Sequence, residues 1–293
     1  MKRPNFLIIG AQKAGTTWLW ERISQHPDVF VPEKKELSFF NRNRKSITDE
    51  SFQSQYLSHF QGSDDFRIVG ESTPGYFWTT DSTSSWCQPP HAYNDHIPET
   101  VKEFLGEDVR LVLCLRNPIE RAISAFFHHF RHTKVINPDD RILEVGHRHG
   151  IVDMGFYFRH LQKWLEVFPR ENILIFNFAN DICDHPEDVM HRLFSFLDLK
   201  PVMIKDLQKA AFAGLKLKLS DNHQYLHAQK NANSSPVVHQ SEIVQLRDIY
   251  AEDIQHLAKF LEWDLSAWLD SPKKLFPKRK LQDILFKQLF KKP

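Results

Sequence analysis

Cysteine is scarce. Cys87, Cys114 and Cys183 are the only three in 293 residues, far apart and odd in number. That excludes a scaffold stapled by disulfides, and the lack of any Cys-x-x-Cys pair removes the usual zinc-ribbon spacing. A reduced compartment is the easier fit, so a cytoplasmic location is the expectation. Long apolar runs are missing too. Behind Met1-Lys2-Arg3, the run Phe6-Leu7-Ile8-Ile9-Gly10 stops at Ala11, before Gln12-Lys13. A signal h-region needs roughly 7–15 apolar residues and a membrane span about 20, so a soluble, unexported chain is expected. Neither charge dominates: 38 Lys+Arg against 37 Asp+Glu leave +1, which argues against a nucleic-acid binder that is basic throughout. There is no internal repeat and no strong linker.

What is present suits a globular enzyme-sized fold. Apolar residues make up 41%, with 24 Phe and seven Trp, enough to bury a sizeable core in one large domain or two average ones. Phe6–Ile9, Arg110–Leu115 and Ile173–Phe176 read as strands buried on both faces, because their apolar runs are continuous rather than alternating. Each is followed by a helical pattern: Trp18 to Ile23, ended by His26-Pro27; Pro118 to Phe130, with Asn117 as N-cap; and the stretch through His191–Leu197. Tyr157–Phe168 is a further amphipathic stretch, and Leu246, Ile249, Tyr250, Leu257, Phe260 and Leu261 mark a long packed helix. Strand and helix in alternation predict an α/β fold, a P-loop-like three-layer arrangement with a central parallel sheet flanked by helices. Residues 27–75 are less regular, and Thr79–Pro98 reads as a surface loop of the kind that forms lids or substrate lips.

Two constellations carry chemistry. Gly10-Ala11-Gln12-Lys13-Ala14-Gly15-Thr16-Thr17 lies between a strand and a helix, where loop amides and the helix dipole make an anion site. It nearly fits GxxxxGK[ST], but Thr16 follows Gly15 and the lysine has moved into the loop as Lys13. The comparable strand ends in Leu115-Arg116, a cation where a triphosphatase keeps the acidic partner of its Mg²⁺. Both departures favour an anionic ligand handled without a metal. The second constellation is Arg116-Asn117-Pro118-x-x-Arg121-x-x-Ser124. Arg116 closes a strand at the sheet's carboxyl edge, and Ser124 lies one helical repeat beyond Asn117, so an Arg fork and a hydroxyl suit a terminal phosphate. Arg121 reads as structural. His128-x-x-x-His132 and His147-x-His149 have metal-like spacing but no HExxH glutamate or nearby cysteine, so no metal is expected.

Lys13-x-Gly15-Thr16-Thr17 and Leu115-Arg116-Asn117-Pro118-x-x-Arg121-x-x-Ser124 resemble the 5′- and 3′-phosphate motifs of sulfotransferases. Lys35-Glu36-Leu37-Ser38-Phe39-Phe40 and Gly70-Glu71-Ser72-Thr73-Pro74-Gly75-Tyr76-Phe77 resemble motifs of the heparan-sulfate-type and related bacterial members. Gly155-x-Tyr157, Trp164-Leu165-x-x-Phe168-Pro169 and Asp264-Leu265-Ser266-x-Trp268 extend the resemblance over about residues 4–270. It implies a sulfonate donor, 3′-phosphoadenosine 5′-phosphosulfate (PAPS), with adenosine 3′,5′-bisphosphate as product and a carbohydrate, lipid or small-molecule hydroxyl or amine as acceptor. On that resemblance Lys13, Ala14, Gly15, Thr16, Thr17 and Trp18 hold the 5′-phosphate, with Lys13 also offsetting charge on the breaking bond. Arg116 and Ser124 hold the 3′-phosphate, and Lys230 stands nearest the relatives' late cofactor loop. Glu36 is the implied general base. His91 and His96 are alternative bases, and Glu71 and Ser72 are candidates near the acceptor; many heparan-type relatives carry Lys in place of Ser72. A nucleotide kinase and a non-enzymatic binder of sulfated glycans are the competing readings.

Ser271–Pro293 stands apart from residues 1–270. It holds eight basic residues against Asp283 alone, +7, leaving 30 basic against 36 acidic in the rest. Leu281, Ile284, Leu285 and Leu289 recur at helical spacing. A basic amphipathic helix of this kind lies on an anionic membrane, docks on a partner, or packs on its own domain.

Overall fold

The computed structural model describes residues 2–42, 44–90, 93–209, 217–220, 224–228 and 235–270. The chain divides into two compact units, each assembled from three stretches: Met1–Thr80, Pro90–Leu115 and His160–Ala211 in the first, and Asp81–Pro89, Arg116–Arg159 and Phe212–Pro293 in the second.

The first unit is built on five parallel strands, β1 (Phe6–Gly10), β2 (Val29–Phe30), β3 (Ile68–Ser72), β4 (Arg110–Leu115) and β5 (Ile173–Asn177), in the order β2-β3-β1-β4-β5. The three strands expected from apolar runs are present. β1 is wholly buried and β4 is buried beyond Arg110, which is why neither alternates. β3 lies inside the stretch read as irregular. Its last three residues, Gly70-Glu71-Ser72, are not apolar, yet all five positions are buried. Gly70 is required there because a Cβ would stand 2.2 Å from the Phe6 ring on the neighbouring strand.

Helices α1 (Thr16–Ile23), α2 (Arg44–Ile47), α3 (Glu50–Ser58) and α4 (Ile97–Leu105) flank this sheet, with α8 (Pro186–Phe196) later in the chain. The outer side of α1 is fastened to the stretch after α8: Trp18 Nε1 donates to the Leu207 carbonyl at 3.1 Å and Arg22 Nη2 to that of Lys209 at 2.7 Å. The chain runs from β1 to β2 at the edge, comes back to β3 beside β1, then crosses to β4 and β5 on the other side. The reversal falls between β1 and β4, and open α/β sheets bind ligands outside the carboxyl ends at such a point. There the Ala11 amide donates to the Cys114 carbonyl at 2.8 Å.

The second unit contains α5 (Pro118–His128), α6 (Ile142–Val145), the start of α7 (Tyr157–Leu165), a three-stranded antiparallel sheet β6 (Leu217–Leu219), β7 (Tyr225–Ala228) and β8 (Val237–His239), and α9 (Gln240–Leu261). Asn117 caps α5 as expected, its Oδ1 accepting from Ile119 N at 2.9 Å. The helix stops at His128 and continues as a π-turn, His129–Thr133. Arg121 is structural: fully buried, it donates through Nη2 to the carbonyls of Gly150 and Ile151. Tyr250 of α9 donates to the Val152 carbonyl at 2.7 Å, and Asp253 accepts from Phe158 N and Arg159 N at 3.0 Å each. That carboxylate caps α7 from outside, while burial raises it to about 6. Arg159 reaches Asp153 at 2.5 Å and Asp81 at 3.6 Å, and Ser84 Oγ meets Asp153 at 3.2 Å. Asp81 and Ser84 of the expected surface loop are therefore pinned. Among the described residues no helix is long and apolar enough to cross a membrane.

Candidate active site

The turn after β1 is shaped for an anion. Gly15 has φ 94, and a Cβ there would stand 2.9 Å from the Phe178 ring, so conformation and space both demand glycine. Lys13 adopts φ 67, the left-handed region that residues with a side chain seldom enter. Gly15 is also the N-cap of α1, and no side chain caps that helix. Its first-turn amides and dipole end are left to face the turn, which fits a phosphate dianion. Thr16 is buried and Thr17 half-buried. Trp18 spends its indole on Leu207, so its contribution to the turn is its backbone amide.

The Glu36 backbone is tied to the neighbouring strand end, next to Glu71. The Glu36 amide donates to the Ser72 carbonyl at 3.0 Å, which ties its loop to the carboxyl end of β3, and Ser72 is paired with Ile8 of β1. Lys13, in the turn after β1, and Glu36, in the segment after β2 that is tied to the end of β3, thus stand at the same edge of the sheet. The loop is anchored by the next two aromatics: Phe39 stacks on Tyr56 with centroids 4.2 Å apart, and Phe40 is 0% exposed. Glu36 itself has a 58% exposed side chain whose Oε1 accepts from Lys35 Nζ at 3.0 Å. The Lys35 side chain is 15% exposed, so the pair is half-buried on the lysine side while solvent still reaches the Glu36 carboxylate.

Glu71 is the opposite case. It is 1% exposed and receives hydrogen bonds from Tyr76 at 2.5 Å, Thr73 at 2.7 Å and Tyr56 at 3.4 Å. Burial raises it to about 7, against the lowering effect of those donors. Both of its oxygens are engaged by donors of the protein. Ser72 is fully buried, and its Oγ has no hydrogen-bond partner.

His96 sits at the N-cap of α4 with a 59% exposed side chain, 3.8 Å from Glu99. Its amide donates to Asn94 Oδ1 at 3.0 Å, and Asn94 Nδ2 in turn donates to the Phe40 carbonyl at 2.8 Å. His96 therefore stays linked to the Glu36 loop. His91, Lys230 and the 271–293 tail lie outside the described residues.

Arg116 and Ser124 belong to the second unit, the Lys13 turn to the first. The Arg116 guanidinium is 14% exposed and grips Glu120 Oε2 through Nε at 3.0 Å and Nη2 at 2.9 Å. Ser124, half-buried, follows four residues beyond Glu120 on α5, so those two side chains share one helix face. Sequence reading passed over Glu120, although its i, i+4 spacing from Arg116 is a visible signal. Among the described residues no group of three His, Cys, Asp or Glu side chains is arranged to hold a metal.

Residues 3–245 match the family model described as the sulfotransferase domain. Heparan sulfate glucosamine 3-O-sulfotransferase 6 of Homo sapiens is 30% identical over 234 residues, which cover 78% of this chain and 57% of that protein. Carbohydrate sulfotransferase 15 of Homo sapiens is 25% identical over 260 residues, covering 69% of this chain and 45% of its own length. The chain thus matches about half the length of these relatives. Among solved structures, a sulfotransferase from Alicyclobacillus acidocaldarius superposes with a TM-score of 0.64 at 22% identity, covering 92% of this chain and 100% of that one. A sulfotransferase domain from the curacin biosynthetic pathway gives 0.52 at 14% identity, covering 90% and 100%. These two likenesses establish the α/β fold.

Proposed function

The chain belongs to the sulfotransferase domain family, and from that premise we propose that it moves a sulfonate group from PAPS to a hydroxyl or amine of a carbohydrate, lipid or natural-product acceptor. The observation that carries this reading is the shared sheet edge: an uncapped, glycine-shaped anion turn bearing Lys13 leaves β1, and a solvent-facing Glu36 is tied to the end of adjacent β3. PAPS supplies the sulfonate and departs as adenosine 3′,5′-bisphosphate.

The chain's residues bind, orient and move one proton. Amides of Gly15, Thr16, Thr17 and Trp18 hold the 5′-phosphate, with Ala14 shaping the turn, and Lys13 offsets the charge that develops on the leaving oxygen. Arg116 and Ser124 hold the 3′-phosphate, with Glu120 presetting the guanidinium. Glu36 accepts the acceptor's proton as its oxygen or nitrogen attacks in line, a role worth typically 10²–10⁴-fold. The kinase alternative is disfavoured by the family match and by Thr16 and Arg116 standing where it needs Lys and an acid. We further assign transfer to residues 1–270, a membrane-surface or protein contact to the 271–293 tail, and a cytoplasmic setting on the scarcity of cysteine.

Incubation with PAPS and a panel of sugar, lipid and phenolic acceptors tests the reading. Release of adenosine 3′,5′-bisphosphate is expected, together with its binding in calorimetry and loss of turnover in Lys13→Ala. Absence of both turnover and nucleotide binding overturns it.

A further inference from the structure

Glu36 has a demanding position. Its side chain stands in solvent while its backbone, at φ 62, and that of Ser38, at φ 55, occupy the left-handed region. The Lys35 pair joins side chain to side chain and does not itself hold the backbone. The restraint comes from beneath. Four successive amides each have an acceptor: Glu36 N on the Ser72 carbonyl at 3.0 Å, Leu37 N on Glu71, Ser38 N on Thr73 Oγ1 at 3.2 Å, and Phe39 N on the Tyr76 hydroxyl at 2.9 Å. Two of these acceptors are hydroxyls that receive from the loop and give their own hydrogens to Glu71, at 2.7 Å from Thr73 and 2.5 Å from Tyr76. Polarity therefore runs one way, from amide to hydroxyl to carboxylate, and it needs an end point with both oxygens free of protons.

We propose that Glu71 is a positioning residue for Glu36: as a carboxylate it terminates this network and holds the Glu36 loop in its left-handed turn, and when protonated or replaced by an amide it lets the loop loosen and transfer slow. The proposal rests on reading Glu36 as the general base.

The groups facing Glu71 are Tyr56 from α3, Tyr76 and Thr73 from the turn after β3, and the Leu37 amide. Tyr56 and Tyr76 are pushed well above 10 by burial, so both remain donors at any ordinary pH. Burial brings Glu71 to about 7 from 4.5, so between those values the folded chain holds a proton that the unfolded chain has lost. Stability from this group is highest below about 4.5, falls as pH rises to about 7, and is flat above. Loop order has the opposite sign: it is gained as Glu71 ionises. A merely structural carboxylate would not move the two in opposite directions.

Hydrogen exchange at the amides of Leu37, Ser38 and Phe39, corrected for intrinsic rates, reads the loop directly. Wild-type protection is expected to fall at least about tenfold between pH 8.5 and 5.5, the loss of one charge-assisted bond. Glu71→Gln should be poorly protected at both, with its affinity for adenosine 3′,5′-bisphosphate retained. Tyr76→Phe should expose chiefly Phe39, which keeps the test open if the Gln variant folds poorly. Wild-type protection that is flat across this range, or equal in Glu71→Gln, overturns the proposal. Unchanged turnover in Glu36→Gln, with protection still following pH, sinks the base assignment instead and leaves the loop result standing.

Discussion

The two proposed anion sites, one in each unit, are made of different material. The turn after β1 presents backbone amides at an uncapped helix end, with a geometry set by Gly15 at φ 94. The second presents side chains, and its main cation is already gripped at two nitrogens by Glu120. Amide dipoles neither titrate nor rotate away, so the first site is built for its ligand in advance. The guanidinium is instead kept oriented by an internal acid, and an incoming phosphate competes with that acid for it. The difference predicts that the first half-site is intolerant of added atoms while the second responds to charge.

The largest expected effect touches neither half-site. Glu36→Gln should reduce turnover at least about 10²-fold while affinity for adenosine 3′,5′-bisphosphate stays the same. If affinity falls as well, the Glu36 loop is part of the nucleotide site and the division between binding and chemistry is misplaced. Next comes Gly15→Ala. The positive φ costs roughly 1–2 kcal/mol for a residue with a Cβ, and the 2.9 Å approach to Phe178 adds to that. Nucleotide affinity should drop by about tenfold or more by calorimetry. A smaller loss than in Arg116→Ala would reverse the ranking of the two half-sites.

The parts legible in the sequence are those where burial and chemistry agree. β1, β4 and β5 read as strands because a parallel strand covered on both faces needs an unbroken apolar run. Asn117-Pro118 reads as a helix start because cap and first-turn preferences coincide there. β3 escaped because Gly70-Glu71-Ser72 looks like a turn; Gly70 is there for the Phe6 ring, and Glu71 is buried because three hydroxyls satisfy it. Neither reason is local in sequence. β6, β7 and β8 are only three or four residues each, too short for a period. The partition into two units escaped for the same reason, since each is drawn from three separated stretches. The candidate site residues are named by motif, but a motif does not divide their labour. Glu36 and Glu71 look equivalent as letters, and 58% side-chain exposure against 1% overall is what separates the proposed base from the proposed internal anchor.

Glu120→Gln gives the smallest effect and bears most directly on the second half-site. Gln keeps an oxygen in place to accept from Arg116 but removes the charge, so the guanidinium stays aimed while its competitor weakens. The pair is only partly exposed, at 14% and 28% of the two side chains, which puts its strength near the upper end for surface pairs. Removing the charge should therefore raise affinity for adenosine 3′,5′-bisphosphate by about two- to fivefold, equivalent to at most about 1 kcal/mol. The gain should shrink with added salt and should vanish when adenosine 5′-phosphate, which lacks the 3′-phosphate, is titrated instead. An equal gain for both nucleotides would mean a general change in local potential, with Arg116 not reading the 3′-phosphate. A loss for adenosine 3′,5′-bisphosphate would mean that Glu120 orients the fork more than it competes for it, and the second half-site would then be as preformed as the first.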